Sequence, residues 1–449
     1  MRDIYNVGVE PEMAESWTIS AEWETLDSGS PEERACFAAL GIRAQNFWLT
    51  EGSDALANRL RHAPLLSAYH LAEWLAWNWW RLRWEPRSKA RDWAFAHRIA
   101  TIGGGYIWPN LTIFSDGQRT ALSAKPTDER PQTPFRYITD RTVVILATEF
   151  EAEIDLFIDQ VLERMEWAKV SDSNLEMIWK GVREERRTLE LHRARKLEAL
   201  LGRDPDESDP QTISQLIADA EWLGVAAIEE LAAEHGQTGK ILTSDELSEI
   251  ADHNGFDVSP ADTVRLSAAM GLPRVGEVAA WRLGARAARV LREQERLENE
   301  PISDQLLAQM AGVQSAVLDD RRSASDISFA LDETSKRGRV VLRSKWHDGR
   351  RFELARLLGD RIAGPQGGRL FPATRAYTYR QKVQRSFAAE FLSPFEAVDE
   401  RLGDDYSVEN QKDVADHFQV SELTIRTLLV NHGRLEREDL DGEFEVAAA

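Results

Sequence analysis

Residues 350–394 constrain this chain most. They read R-R-F-E-L-A-R-L-L-G-D-R-I, then a Gly-rich turn, then Q-R-S-F-A-A-E-F-L-S-P. Phe352, Leu354, Ala355, Leu358 and Ile362 recur at the spacing of one helical face, and Val383, Phe387, Ala388 and Phe391 do the same in the second half. Two such helices across a tight turn must share one buried core. A long helix is expected upstream over 276–297, followed by Pro301, Ile302 and a short helix over 306–313. Residues 327–332 and 339–343 read as paired strands around a turn at 335–338.

These residues, in this order, resemble the ImmA/IrrE family, zinc metallopeptidases tied to bacterial and phage regulatory switches. The family's first helix reads like R-F-x-L-A-H-E-L-G-H and its second ends F-A-A-E-L-L-x-P. The frame here is Arg351, Phe352, Leu354, Ala355, Leu358 and Gly359, then Phe387, Ala388, Ala389, Glu390, Leu392 and Pro394. The resemblance spans residues 273–437 and implies a zincin-like helical module with a small β-hairpin. Its chemistry is missing. H-E-x-x-H works because His at i and i+4 reach one zinc from one helical face while the Glu activates bound water. Those positions hold Arg356, Leu357 and Asp360. Arginine cannot lose its proton to become a ligand, and leucine cannot act as a base. The family's third ligand is a carboxylate shortly before F-A-A-E, yet residues 361–389 contain no Asp, Glu or His in a chain with 76 acidic residues. Arg356 and Asp360, opposite charges at i, i+4, are expected to pair. The resemblance therefore implies a catalytically inactive protein without a cofactor, a binding subunit or regulator in a bacterial or phage regulatory or defence system. A displaced metal site would have to draw on His347, Asp348, Asp360 and Glu390.

The formal net charge is −21, which argues against a general nucleic-acid coat. Residues 336–389 hold 14 basic residues against three acidic ones, a net +11, so the remainder carries −32. Arg337, Arg339, Arg343, Lys345, Arg350, Arg351, Arg369, Arg375, Arg380, Lys382 and Arg385 form a candidate docking surface for a protein or nucleoprotein assembly, or for nucleic acid. The alternative is that these cations meet the chain's own carboxylates. The single cysteine, Cys36, excludes a disulfide framework and a cysteine zinc site and fits a cytoplasmic protein. No export signal and no apolar run near 18 residues is evident, so no membrane association is expected.

Residues 1–167 read as an α+β domain of no recognised family. Residues 16–24 alternate as a strand, and Ser30-Pro31 opens a short helix. The segment 65–84 packs Trp74, Trp77, Trp79, Trp80 and Trp84 onto one expected helix. Five tryptophans cannot share one stripe, so the helix is central to a core, or Trp74, Trp77, Trp80 and Trp84 face a partner. His70 and Glu73 at i, i+3, with His62 nearby, read as structural. Gly103-Gly104-Gly105 follows a helix and precedes a strand, the reverse of a phosphate loop, and reads as a cap and turn. Strands are expected near 119–124, 135–138 and 142–148, and a helix over 149–167. Residues 168–272 read as a helical middle region, with a long helix over 173–201, a linker near 202–210, and helices over 212–235, 244–254 and 260–270. The end of the module, 408–435, has a helix-turn-helix pattern in which Thr424, Arg426, Thr427 and Asn431 are the candidate DNA contacts. A regulator reading DNA through them is the second expectation. Residues 438–449 read as a disordered tail.

Overall fold

The structure, a computed structural model, describes residues 17–90, 92–127, 133–267, 271–321 and 325–436 of the 449. The expected tail at 438–449 lies outside the described residues. The chain divides into two compact units, residues 1–85 with 91–199 and residues 86–90 with 200–449. Helices and strands are mixed, and every strand pairing among the described residues is antiparallel.

In the first unit, β1 (Trp17–Trp23), β2 (Phe37–Ala44), β3 (Phe47–Trp48) and β6 (Leu65–Ser67) form one sheet, with α1 (Pro31–Ala35) leading into β2. Ser30 caps α1 in a reciprocal box with Glu33. Two three-stranded sheets join β4 (Gly52–Asp54) with β5 (Arg59–Arg61) and β9 (Phe135–Tyr137), and β7 (Leu111–Ser115) with β8 (Arg119–Ala124) and β10 (Arg141–Leu146). The tryptophan segment is not one helix. It is α2 (Ala68–Trp77) and α3 (Trp79–Trp84), separated by Asn78, and its first residues belong to β6. The break lets Trp79 and Trp80 enter the core while Trp77 stays 58% exposed. The apolar face of α5 (Ala147–Trp167) buries Phe150, Ile154, Phe157, Ile158, Val161 and Met165, as its spacing demands. A buried ion network joins α3 to α4 (Trp93–His97) and β7. Arg81 Nε donates to Glu85 at 2.7 Å, His97 Nε2 lies 2.9 Å from the same carboxylate, and His97 Nδ1 lies 2.7 Å from Ile113 O. The helix expected over 173–201 is broken at Thr188 into α6 (Asn174–Arg187) and α7 (Leu189–Leu200).

The second unit begins with α8 (Pro210–Leu223) and α9 (Val225–Thr238), broken at Gly224 where one helix was expected. Gly224 takes φ +105, a conformation that other residues rarely adopt. Next comes α10 (Ser244–Asn254), capped by Thr243 in a reciprocal box with Glu246, while the Ser244 hydroxyl donates to Asp219 at 2.8 Å. Residues 260–267 are not the expected helix. Their backbone bonds go elsewhere: Val264 N donates to Met310 O at 2.9 Å, and just upstream Ser259 N donates to Gly312 O at 2.9 Å. The core helices are α11 (Ala280–Gln294), α14 (His347–Ala363) and α15 (Tyr379–Leu392), with α12 (Asp304–Met310) and α13 (Ala316–Asp319) beside them. Leu291, Leu354, Leu358, Phe387 and Phe391 meet in one apolar cluster, and the last two rings stack at 5.4 Å. The expected hairpin is present as β12 (Ser328–Asp332) and β13 (Gly338–Val341). It sits inside a four-stranded sheet, β11-β13-β12-β14, whose outer members β11 (Phe256–Val258) and β14 (Leu370–Ala373) were not expected. Then follow α16 (Phe395–Leu402), α17 (Val408–Phe418) and α18 (Glu422–Asn431).

Candidate functional site

Arg356, Leu357 and Asp360, the positions singled out by the resemblance, are all buried on α14. Arg356, 7% exposed, donates through Nη2 to Thr374 O at 2.7 Å and to Gln381 Oε1 at 2.5 Å. Gln381 also accepts from Thr374 N at 2.9 Å and donates to Pro372 O at 3.0 Å, and Gln384 donates to the same carbonyl at 3.0 Å. The two glutamines of α15 thus tie the end of β14 to the arginine of α14. Burial pulls the Arg356 guanidinium down to about 9, with the nearby Arg385 acting in the same direction. The expected Arg356–Asp360 pair does not form. Asp360, 1% exposed, is held by Arg380 of α15 through two bonds of 2.8 and 2.6 Å. A planar guanidinium arriving across the helix interface meets both carboxylate oxygens at once, which is the geometry that a buried carboxylate requires. Leu357 is packed in the apolar core.

Two carboxylates that the pattern reading missed complete the cluster. Glu230 and Glu234 of α9 are 6% and 3% exposed. Glu230 Oε2 accepts from the Thr378 hydroxyl at 2.7 Å, and Glu234 Oε2 accepts from Arg375 N at 2.6 Å. Both fall on the helical stripe that carries Ala227 and Leu231, so a charged residue repeating inside an apolar stripe was the available signal. Burial raises the Glu230 carboxyl from 4.5 to about 7, opposed by the Arg380 charge and by hydrogen bonds from Thr378 and Gln381. A raised carboxyl makes its full contribution to stability below its ordinary value near 4.5 and loses it as pH climbs towards 7. Glu230→Gln is therefore expected to raise the melting temperature of the second unit at pH 8, by an equivalent of roughly 3 kcal/mol at most. The gain is expected to vanish near pH 4. Calorimetry at the two pH values checks it, and a gain independent of pH would contradict it.

Metal binding between α14 and α15 does not fit these donors. Arg356 is a cation, and both Asp360 oxygens are committed to Arg380. The residues considered for a displaced centre are dispersed. His347 Nε2 lies 2.7 Å from Asp304 and its Nδ1 lies 3.4 Å from Asp348, whereas Glu390 accepts from Arg289 Nε at 2.7 Å. In the first unit His62 and His70 face different glutamates, Glu51 at 3.3 Å and Glu33 at 3.9 Å, and Glu73 accepts from Tyr69. Among the described residues no group of three or more His, Cys, Asp or Glu could hold a metal ion.

The basic block is largely engaged by the fold itself, although of its eleven candidates only Arg350 and Arg351 are buried, five are half-buried and four are exposed. Arg350 and Arg351 are 1% and 0% exposed, so they belong to no surface. Arg350 donates to Val317 O at 2.7 Å, and Arg351 to Asp304 and to Ile302 O. Arg380 belongs to the cluster above. Arg339 pairs with Asp257 at 2.7 Å, Arg343 with Glu353 at 3.4 Å, and Arg385 donates to Ala376 O at 2.8 Å. Lys382 is half-buried. Arg337, Lys345, Arg369 and Arg375 are exposed, and of these Arg337 lies 3.2 Å from Glu333. The charge run is therefore mostly the fold meeting its own carboxylates and carbonyls.

Of the aromatic candidates, Trp80 is buried and donates to Glu185 at 2.8 Å, Trp74 is half-buried, and Trp84 lies between Arg83 and Lys196. Trp77 is the exposed one of the four. On α18, Thr424 and Arg426 are buried, Thr427 and Asn431 are half-buried, and Leu423 is 43% exposed. Arg426 is thus covered by the fold. Among the described residues no helix is long and apolar enough to cross a membrane. Comparison of the chain with family models, with characterised proteins and with solved structures finds no match.

Proposed function

We propose that the second unit is a metallopeptidase-like frame of the ImmA/IrrE type that has exchanged catalysis for binding, and that the protein serves as a non-catalytic subunit or regulator. The observation that carries this reading is the α14–α15 interior. At the positions where a zinc site would need two neutral imidazoles and a base stand an arginine bound to Gln381, a core leucine and an aspartate clamped by Arg380. The ligand positions are thereby converted into load between helices. A protein partner fits better than nucleic acid, because most of the +11 block is used internally and the chain's formal charge is −21. The buried Arg426 and Thr424 also count against the DNA-reading alternative.

Tagged purification from the native host at low and high salt, with mass spectrometry and nucleic-acid analysis, tests the reading. The expected result is a stoichiometric protein that stays bound at both salt concentrations. Nucleic acid released by salt would instead favour the surface cations, and a solitary chain would overturn the proposal.

A further inference from the structure

Two neighbouring guanidiniums of α14 and α15 lack a counter-ion among the described residues. Arg351 and Arg380 each meet a carboxylate, Asp304 and Asp360, and Arg81 and Arg83 of the first unit meet Glu85 and Glu151. Arg356 does not. Its acceptors are the neutral oxygens of Thr374, Gln381 and, at 3.4 Å, Gln384, and all three bonds leave from Nη2. Arg385 lies one helical turn beyond Gln381 and makes no ion pair either. It spends only Nη2 on the protein, donating to Ala376 O two residues from the carbonyl that Arg356 uses, and stands 5.6 Å from the Tyr377 ring centre. Between those carbonyls Arg375 bonds Glu234 through its backbone N–H, while its exposed side chain bonds nothing among the described residues. Glu353, three residues before Arg356 on α14, pairs with Arg343, whose side chain keeps 37% of its exposure.

The charges here do not balance. Arg343, Arg356, Arg375, Arg380 and Arg385 face Glu230, Glu234, Glu353 and Asp360, five cations against four carboxylates, and Glu230, raised to about 7, gives up part of its charge at neutral pH. The charge that acts most on Arg356 is that of Arg385. Arg292, another buried guanidinium bound to carbonyls, instead feels Glu390. Like charges held together away from water are costly unless an anion joins them.

We propose that Arg356 and Arg385, with Arg375 and Arg343 at the rim, form a site for one oxyanion, a carboxylate or phosphate group. The planar fork of a guanidinium matches two oxygens of either group. Half-buried Arg385 and Arg343 are reached from solvent, and an anion between the cations relieves their repulsion. This deepens the binding role proposed above by naming a group that a partner presents, and it rests on that role only for the partner.

Calorimetric titration of the full chain with inorganic phosphate, and separately with a polyglutamate peptide, at constant ionic strength tests the site. Saturable binding of at least one probe is expected, and the tighter one identifies the source as a free anion or an acidic segment. Arg385→Gln is expected to weaken that binding about tenfold or more. Arg375→Gln, where the side chain supports no contact, is expected to weaken it severalfold without unfolding the chain. Arg337→Gln, in the turn between β12 and β13, is expected to leave it unchanged. No saturable binding of either probe, or the same loss in Arg337→Gln as in Arg385→Gln, would overturn the site. The two readings fail separately: a solitary chain that still takes the anion keeps the site and loses the partner, and a partner retained without anion uptake does the reverse.

Discussion

Gly284→Ala destabilises the second unit by about 3 kcal/mol or more, at or beyond the upper end of ordinary overpacking. Alanine is the better helix former by about 1 kcal/mol, so propensity alone would make the change favourable. Packing decides the sign. A Cβ at residue 284 would stand 2.3 Å from Val383 O, 2.8 Å from Phe387 N and 2.9 Å from Ser386 Cβ. Two of these are backbone atoms of α15, which cannot swing aside as a side-chain tip can. The two helices must part, and their separation loosens the cluster that Phe387 and Phe391 of α15 share with Ala287, Ala288 and Leu291 of α11. Urea unfolding followed through the transition of the second unit measures the loss. A variant within about 1 kcal/mol of wild type would mean that α11 and α15 do not pack this closely.

Arg380→Met costs about 3–5 kcal/mol, because it strips both hydrogen bonds from a carboxylate that is 1% exposed. The same change removes the donor to Ala226 O and the cation that lowers the Glu230 carboxyl. Removing the carboxylate as well, in Arg380→Met with Asp360→Leu, is expected to recover most of the loss, since an apolar pair replaces a stranded charge. Arg380→Lys is expected to fall between, because an ammonium cannot reproduce the two-point contact. Equal losses in the single and double variants would show that Arg380 acts by packing and not through Asp360. Thermal and urea unfolding of the three variants decide between these outcomes.

Short-range patterns were legible wherever the physics that sets them is local. Alternation over Trp17–Trp23, the Ser30 cap and the 3.6-residue stripe of Ala147–Trp167 all appear at those places. So do the two helices around Gly359 and Phe387 and the β12–β13 hairpin. Breaks inside helical runs were not legible. Asn78 and Thr188 are ordinary residues that end a helix because the chain must turn its side chains towards different neighbours. The strand β14 was hidden by Pro372, which argues against a strand unless it lies on an edge, as it does here. That residues 361–389 hold no Asp, Glu or His is a property of the sequence alone. Charge counting misplaced Arg350 and Arg351, because it assigns arginine to the surface by default. The partners that take Arg351 and Arg380 inside, Asp304 and Asp360, lie 47 and 20 residues away in sequence. Glu230 and Glu234 escaped notice for the same reason, their meaning depending on a loop more than 140 residues later.

Zinc content is the measurement that bears most directly on the claim that the α14–α15 interior has exchanged metal chemistry for an internal network. The full chain would be incubated with excess zinc at pH 7.5, dialysed against metal-free buffer, and read by elemental mass spectrometry beside a peptidase assay on unfolded protein substrate. Zinc far below one equivalent and no cleavage are expected, because Arg356 cannot ligate and Asp360 is held by Arg380. One tightly held zinc per chain, lost together with cleavage on substitution of Asp360 or Glu390, would contradict the account.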